Sequence, residues 1–506
     1  MKLRYPHENI SDIVKPFILF VVAFLPRVID LGTILTIDEP GWIRRSSFFI
    51  QAITHLELQD TLITAHPGVT TMWASGLSLW MKNALGNGGT RGLLFAAKFP
   101  IALITSLGVV LAYYLLKRIF NEEIALLAAL FIALDPFLIA HSRIIHLDAL
   151  LTIFMLLSIL SFISFLNHRQ NSYYLYVSGI FAGLAFLTKL PGFLLVPFIL
   201  FTLRSRYVAN IKEKQLKLFL IWCGIGVFIY FAIWPALWVS PLSTTNALIQ
   251  NTLLVVTTPH EGSNFFMGKI RPDPGFLFYP VVLLLRSTPI ILLFFIISLF
   301  YLTKTPKLQK ESQIILLSLG LFFILALSLS AKKGDRYLLP VFPLVDILAA
   351  TGVYQMTEEL VKNKRHVISI FIICILLQAF SSISLHPYYL SYYNPVIGPS
   401  NAPDILIVGW GEGLENAAEY LNQKSTEDTV VAAYYPQVFR VFFKGNLVDM
   451  SDVPLLYPKI DYYVFYINQI QRETYFESFV TEYTEGHPEH IVKINGIPYV
   501  RIYKGR

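Results

Sequence analysis

Cysteine is almost missing from this chain: two occur in 506 residues, Cys223 and Cys374, each inside an apolar run. That excludes a disulfide framework and a thiolate metal site. Charge is scarce too. Asp, Glu, Lys and Arg together make 14 % of the chain, against roughly a quarter in an average soluble protein. Also missing are internal repeats, low-complexity tracts and a phosphate-cradling Gly-rich loop of the P-loop kind. What replaces them is apolar: 55 % of the residues are hydrophobic types. A disordered chain, a collagen-like chain and a nucleic-acid-binding arm are excluded, and no single soluble core could hide this much apolar surface. The net charge of +7 has to be read by where the cations lie.

A membrane-crossing helix needs about 20 mostly apolar residues. By this measure the chain is an α-helical integral membrane protein with about eleven spans. They lie near 13–31, 93–116, 122–140, 147–166, 173–188, 190–203, 216–238, 277–302, 313–330, 338–355 and 367–385. Lys189-Leu190-Pro191-Gly192 interrupts 173–203, leaving either two short spans or one bent one. Every second connection is basic: Lys2, Arg4 and Lys15; Lys117 and Arg118; Arg169; Arg204 to Lys217; Lys304, Lys307 and Lys310; Lys362, Lys364 and Arg365. Basic short loops mark the cytoplasmic side. A multi-pass protein of the cell membrane is expected, with its N-terminus inside and its C-terminus outside. The first span has no small-residue cleavage site after it and is expected to be retained.

The chemistry-bearing residues gather on the outer side. Two outer connections are long, 32–92 and 239–276, and long loops are more often functional than accidental. The first holds Asp38-Glu39-Pro40-Gly41, also good turn chemistry, then two apolar stretches, Ile43–Glu57 and Val69–Lys82, expected to be interfacial helices. His66 lies between them. Arg143, His146 and Asp148 join the third and fourth spans, where ionisable groups are costly and tend to be paired or functional. His141 and His146 are five apart, a poor spacing for a zinc pair on one helix face. Lys189, His260, Arg286 and the cluster Lys332, Lys333, Asp335, Arg336, Tyr337 are also placed outside. Positive charge there opposes the orientation rule and invites an anionic ligand.

These residues, in this order, resemble membrane glycosyltransferases of the GT-C architecture. The group is glycosyltransferase family 39, the protein O-mannosyltransferase-like enzymes with their aminoarabinose-transferase relatives. The resemblance rests on Arg27–Trp42, His66-Pro67-Gly68, Ser142–Leu150, the run from His260 through Gly268 and Tyr279-Pro280 to Arg286-Ser287-Thr288-Pro289, Arg336–Pro340 and His386–Pro395. It covers roughly 30–395, carries Arg286 where Lys is usual, and lacks the large inserted domain of the eukaryotic mannosyltransferases. It implies a GT-C transmembrane domain over 1–395 and an inverting transfer. The sugar would move from a polyprenyl-phosphate donor to a hydroxyl of a protein, lipid or glycan acceptor outside the cell. Asp38 would be the base, with Glu39 positioning the acceptor. Arg143, Lys189, Arg336 and Arg286 would face the leaving phosphate, and His66, Asp148, His260 and Tyr337 would orient the substrates. A divalent cation at Asp38, Glu39 and Asp148 stays open. The competing reading is a transporter or flippase of lipid-linked sugars, which would want ionisable groups deep in several spans and symmetric halves.

Residues 396–506 change composition. Asp404–Val408, Thr429–Tyr434, Tyr462–Ile467 and His490–Ile494 are predicted strands and Glu412–Leu421 a helix, giving a small extracytoplasmic α/β domain. Gly409-Trp410-Gly411-Glu412-Gly413 lacks the full dinucleotide-binding spacing and is expected to be a tight strand–helix turn. No nucleic-acid partner is expected.

Overall fold

The computed structural model describes residues 10–64, 66–86, 88–168, 171–205, 215–257, 263–426, 428–453 and 460–506. The chain forms α1 (Ile10–Val28), α2 (Glu39–Thr54), α3 (Val69–Leu85), α4 (Gly89–Ile119), α5 (Glu122–Leu134), α6 (Pro136–Ser142), α7 (Asp148–Asn167), α8 (Tyr173–Thr188) and α9 (Leu195–Arg204). It continues with α10 (Gln215–Ile233), α11 (Pro235–Val239), α12 (Pro241–Thr257), a hairpin of β1 (Asn264–Phe266) and β2 (Lys269–Arg271), then α13 (Phe278–Arg286), α14 (Pro289–Tyr301), α15 (Lys307–Ser328), α16 (Phe342–Leu360) and α17 (Lys364–Ile383). Among the described residues, six helical stretches are long and apolar enough to cross a membrane: α4, α7, α10, α15, 335–360 and α17. Two bent pairs, α5 with α6 and α13 with α14, bring the number to eight.

The bends follow from the sequence. Pro has no N–H to continue a helix and pushes the residue before it into extended backbone. Asp135 is extended and its Oδ1 accepts the Leu138 N–H at 2.7 Å, so Asp135-Pro136 ends α5 and caps α6 with a 58° turn. Thr288-Pro289 breaks α13 from α14 with a 117° turn, with Thr288 extended but making no side-chain cap. The single expected spans 122–140 and 277–302 are therefore each broken, and 173–203 is broken at Lys189, which is extended. α7 is apolar all round and buried along nearly its whole length, as a helix without a polar face must be. It packs against α4 and α8 at the centre of the bundle.

Asp38-Glu39-Pro40-Gly41 is not a turn. Pro40 sits in the first turn of α2, which starts at Glu39, where Pro is tolerated and its φ suits a helix. The C-terminal residues form α18 (Ala402–Ile405), α19 (Leu414–Lys424) and a five-stranded sheet. Its strands are β3 (Val430–Ala433), β4 (Asn446–Asp449), β5 (Tyr462–Tyr466), β6 (Thr484–Ile494) and β7 (Ile497–Gly505), in the order β4-β3-β5-β7-β6. β3 runs parallel to β4 and β5, and β7 antiparallel to β5 and β6. The predicted strand Asp404–Val408 is instead α18 followed by one bridge from Leu406 to Phe266, which ties this part to the β1–β2 hairpin. β4 and β7 are strands that the sequence reading passed over.

Candidate active site

Asp38 immediately precedes α2, and its side chain makes no capping bond. The carboxylate is free to face a cavity, and 38 % of the side chain is exposed. Arg336 Nη2 lies 3.3 Å from its Oδ2, and His146 Nε2 lies 3.7 Å from the same oxygen. Glu39, one residue on, turns the other way. It is fully buried, accepts the Thr36 and Ile145 N–H groups at 2.7 and 2.9 Å, and pairs with the buried Lys98 at 3.1 Å. Lys98 also donates to the Ile34 carbonyl. The loop that carries Asp38 is thus held from below by its neighbour.

Asp148, the first residue of α7, is the hub. Its Oδ1 accepts from Lys189 Nζ at 2.6 Å. Its Oδ2 lies 2.8 Å from His146 Nδ1 and 3.7 Å from Arg336 Nε, both at ion-pair distance but outside hydrogen-bond alignment. His146 therefore stands between two carboxylates, Asp148 on one ring nitrogen and Asp38 on the other. Burial lowers the His146 pKa while Asp148 works against that shift. Lys189 sits 4.5 Å over the Tyr337 ring, and Arg336 lies 4.2 Å over Trp410. Cations over aromatic faces are held without spending their hydrogen-bond donors.

Asp38 and Arg336 line a cavity of about 860 Å³. Its other ionisable lining groups are Arg45, Lys332, Arg472, Glu412, His141 and the pair Arg286–Asp335. Glu412 is buried, accepts from the Trp410 N–H at 2.5 Å and the Tyr466 hydroxyl at 3.0 Å, and burial raises its pKa. With Arg286 neutralised by Asp335, the walls carry Arg45, Lys332, Arg336 and Arg472 against the carboxyls of Asp38 and Glu412, a chamber suited to negative charge.

The sequence-predicted residues divide. Asp38, Asp148, Lys189, Arg336 and Tyr337 come together. Three others do not present free groups to the chamber. Glu39 is occupied as described. Arg143 gives its guanidinium to the carbonyls of Pro26, Ile29 and Asp30 at 2.6, 2.7 and 3.2 Å, fastening the end of α1. Arg286 spends all five N–H groups, on Asp335, Leu390, Tyr392 and Tyr393, so it cannot also grip a phosphate. His66 lies between α2 and α3. Its Nδ1 is buried without a partner, and burial with nearby Lys189 pulls its pKa down to about 4, leaving it neutral near pH 7. His260 falls outside the described residues. The suggested cation set Asp38, Glu39 and Asp148 does not converge, since Lys98 occupies Glu39 and cations crowd Asp148. Among the described residues no group of three or more His, Cys, Asp or Glu could hold a metal. The sequence reading missed Arg45, Arg472 and Trp410 as cavity residues, and His146 as the link between Asp38 and Asp148. Of these, only His146, beside Asp148 in a short charged connection, carried a signal.

The family profile described as dolichyl-phosphate-mannose-protein mannosyltransferase matches residues 89–238. No curated protein sequence matches the chain. Two solved structures of ArnT from Cupriavidus metallidurans, one bound to undecaprenyl phosphate and one in the apo state, are similar to it over 97 % of both chains. Both are 13 % identical to it, with TM-scores of 0.54 and 0.53. The archaeal oligosaccharyltransferase AglB from Archaeoglobus fulgidus, in complex with an inhibitory peptide and a dolichol-phosphate, is 12 % identical with a TM-score of 0.47, over 93 % of this chain and 72 % of that one. The chain has the fold of ArnT.

Proposed function

We propose that this protein is an inverting membrane glycosyltransferase that takes a sugar from a polyprenyl-phosphate donor and places it on an acceptor hydroxyl at the outer membrane face. The observation that carries the reading is the meeting of a partly exposed carboxylate, Asp38, with Arg336 on the wall of a large cationic cavity. The acceptor oxygen attacks the anomeric carbon while the bond from that carbon to the phosphate oxygen breaks. The acceptor proton passes to Asp38, and the prenyl phosphate leaves with the bonding electrons. Asp38 suits the first task because its carboxylate is partly exposed to the cavity and makes no capping bond, so its oxygens can reach an acceptor hydroxyl. Arg336 suits the second, since a guanidinium matches phosphate oxygens, with Lys332 as a further charge on the same wall. Lys189 offsets the buried Asp148 carboxylate behind Arg336.

A separate apolar groove of about 460 Å³ is lined by Thr70, Trp73, Leu77, Ile104, Phe154 and Ile233, among others. Thr70 bonds the hydroxyl of Thr188, the residue before Lys189. An apolar trough that reaches the end of α8 next to Lys189 is what the hydrocarbon tail of a lipid phosphate requires. In the membrane reading, α1, α8 and α9 join the eight apolar stretches and bent pairs to give eleven spans, with the cavity and the C-terminal sheet outside the cell.

The test is incubation of the purified protein with defined prenyl-phospho-sugars and mass spectrometry of the products. Loss of one transition-state contact of this kind lowers rate by about 100- to 1000-fold. Asp38→Asn is expected to fall by at least that much while polyprenyl phosphate still binds. Near-wild-type turnover by this variant would overturn the assignment of the base.

A further inference from the structure

The Gly-Trp-Gly-Glu-Gly turn belongs to the C-terminal residues, yet its tryptophan reaches the membrane-bundle side of the cavity. Trp410 is nearly buried. The Arg336 guanidinium lies 4.2 Å over its ring, and the His146 and His141 rings lie 5.1 and 5.8 Å away. Its backbone is held on both sides. The Trp410 carbonyl accepts the Ile37 N–H at 2.8 Å, one residue before Asp38, and its N–H goes to Glu412. The turn is in turn anchored to the sheet, where the Tyr466 hydroxyl accepts the Gly411 N–H at 2.8 Å and Asn468 donates to the Gly409 carbonyl at 3.1 Å.

The two glycines are what allow this approach. Gly411 has φ +126°, and a Cβ there would stand 2.6 Å from the Leu35 carbonyl oxygen. Gly409 has φ +91°, and its Cβ would meet Tyr466 and Ile467 at 2.7 Å. No other residue lets the turn press this closely on the strand end beneath it and on the Asp38 loop.

We infer that Trp410 is a positioning residue: its indole fixes the Arg336 guanidinium against Asp38 and Asp148, so that the C-terminal residues, which also bring Glu412 and Arg472 to the wall, set the place of a cation from the membrane bundle. Among the described residues, the carboxylate oxygens nearest the Arg336 guanidinium are those of Asp38 and Asp148, at 3.3 and 3.7 Å. Its tilt is limited by the Trp410 face at 4.2 Å, with Tyr337 as a more distant second ring at 5.7 Å. An aromatic face holds a guanidinium without using its N–H edge, and loss of the ring lets Arg336 leave its contacts with Asp38 and Asp148.

This assignment rests on the proposed function for its kinetic consequence but not for its geometry, and the test uses both. The full-length protein is compared with Trp410→Ala and Trp410→Phe in detergent. The rate of modification of Arg336 by phenylglyoxal, read by peptide mass spectrometry, is expected to rise several-fold in Trp410→Ala and to stay near wild type in Trp410→Phe. Turnover of a prenyl-phospho-sugar is expected to show kcat lowered about a hundredfold in Trp410→Ala, the scale of a 1 Å misplacement, and mostly restored in Trp410→Phe, with thermal stability of Trp410→Phe unchanged. Equal modification rates in wild type and Trp410→Ala would overturn the positioning role. The modification rate needs no substrate, so it decides the Trp410 assignment even if wild type turns over no prenyl-phospho-sugar, an outcome that would overturn only the proposed function.

Discussion

Asp38 and Glu39 are chain neighbours with opposite surroundings, and the difference gives each a separate test. Glu39 is the counter-charge of a buried lysine. Removing one partner of a buried pair strands the other charge and costs about 3–5 kcal/mol. Glu39→Gln is therefore expected to lower the thermal unfolding midpoint of the detergent-solubilised protein strongly, whereas Asp38→Asn leaves it nearly unchanged. Equal midpoints would refute the structural role of Glu39. His66 supplies a pH-dependent counterpart. Its folded pKa, about 4, lies below the ordinary 6.5, so on acidification the unfolded chain takes up the proton first. Stability from this group is present above pH 6.5 and is lost as pH falls from 6.5 to 4. A displacement of this size amounts to about 3 kcal/mol. His66→Gln is expected to lose less stability than wild type between those pH values in urea titrations, and parallel losses would refute it. At this scale the sequence gives residue type but not direction. Asp38 was legible because a carboxylate follows the first apolar run. That Arg143 and Arg286 spend their donors on backbone carbonyls and Asp335 depends on which helix ends meet them, which no local pattern records.

Among the elements, apolar runs were readable because membrane-length hydrophobicity is a strong signal. Their breaks were readable only in part. Lys189-Leu190-Pro191-Gly192 announced itself through a Pro-Gly pair, whereas Ser287-Thr288-Pro289 lay inside an apolar stretch and its 117° bend did not. β7 was passed over because it ends the chain beyond a short turn at Asn495-Gly496, and β6 and β7 pair across that turn. Helix–helix contacts add a further test. At Gly352 on α16 a Cβ would stand 2.1 Å from the Phe294 carbonyl oxygen of α14. Gly to Ala within a helix ordinarily gains about 1 kcal/mol. Here forcing two backbones apart costs about 1–3 kcal/mol, and the clash is with backbone, which cannot rotate away, so the steric term wins. Gly352→Ala is expected to lower the unfolding midpoint, while Gly92→Ala, where a Cβ meets nothing within 4 Å, is expected to raise it slightly or leave it unchanged. A stabilised Gly352→Ala protein would mean that α14 and α16 are not in this contact.

For the whole molecule, the membrane face that carries the chamber turns on where the basic connections lie. The basic connections and the cavity lie at opposite ends of the same helices. At one end of α4, Lys117 pairs with Glu122 at 3.2 Å, and Lys15 of α1 joins the same carboxylate. Near the other end, Lys98 reaches the Ile34 carbonyl and Glu39 beneath the Asp38 loop. Lys304 likewise pairs with Glu359 at the far end of α16 from Arg336. If cations in short loops stay in the cytoplasm, Asp38, Arg336 and the C-terminal sheet all face outward, where a lipid-linked sugar is the activated donor that needs no nucleotide. The arrangement can be tested without knowing the substrate. With Cys223 and Cys374 replaced, a single cysteine at Lys444, exposed beside α19, is expected to react with a membrane-impermeant thiol reagent on right-side-out vesicles. A cysteine at Lys304 is expected to react only after permeabilisation. The reverse pattern would put the chamber in the cytosol, where Asp38 and Arg336 could still act on a prenyl phosphate but the outward-facing acceptor reaction could not take place.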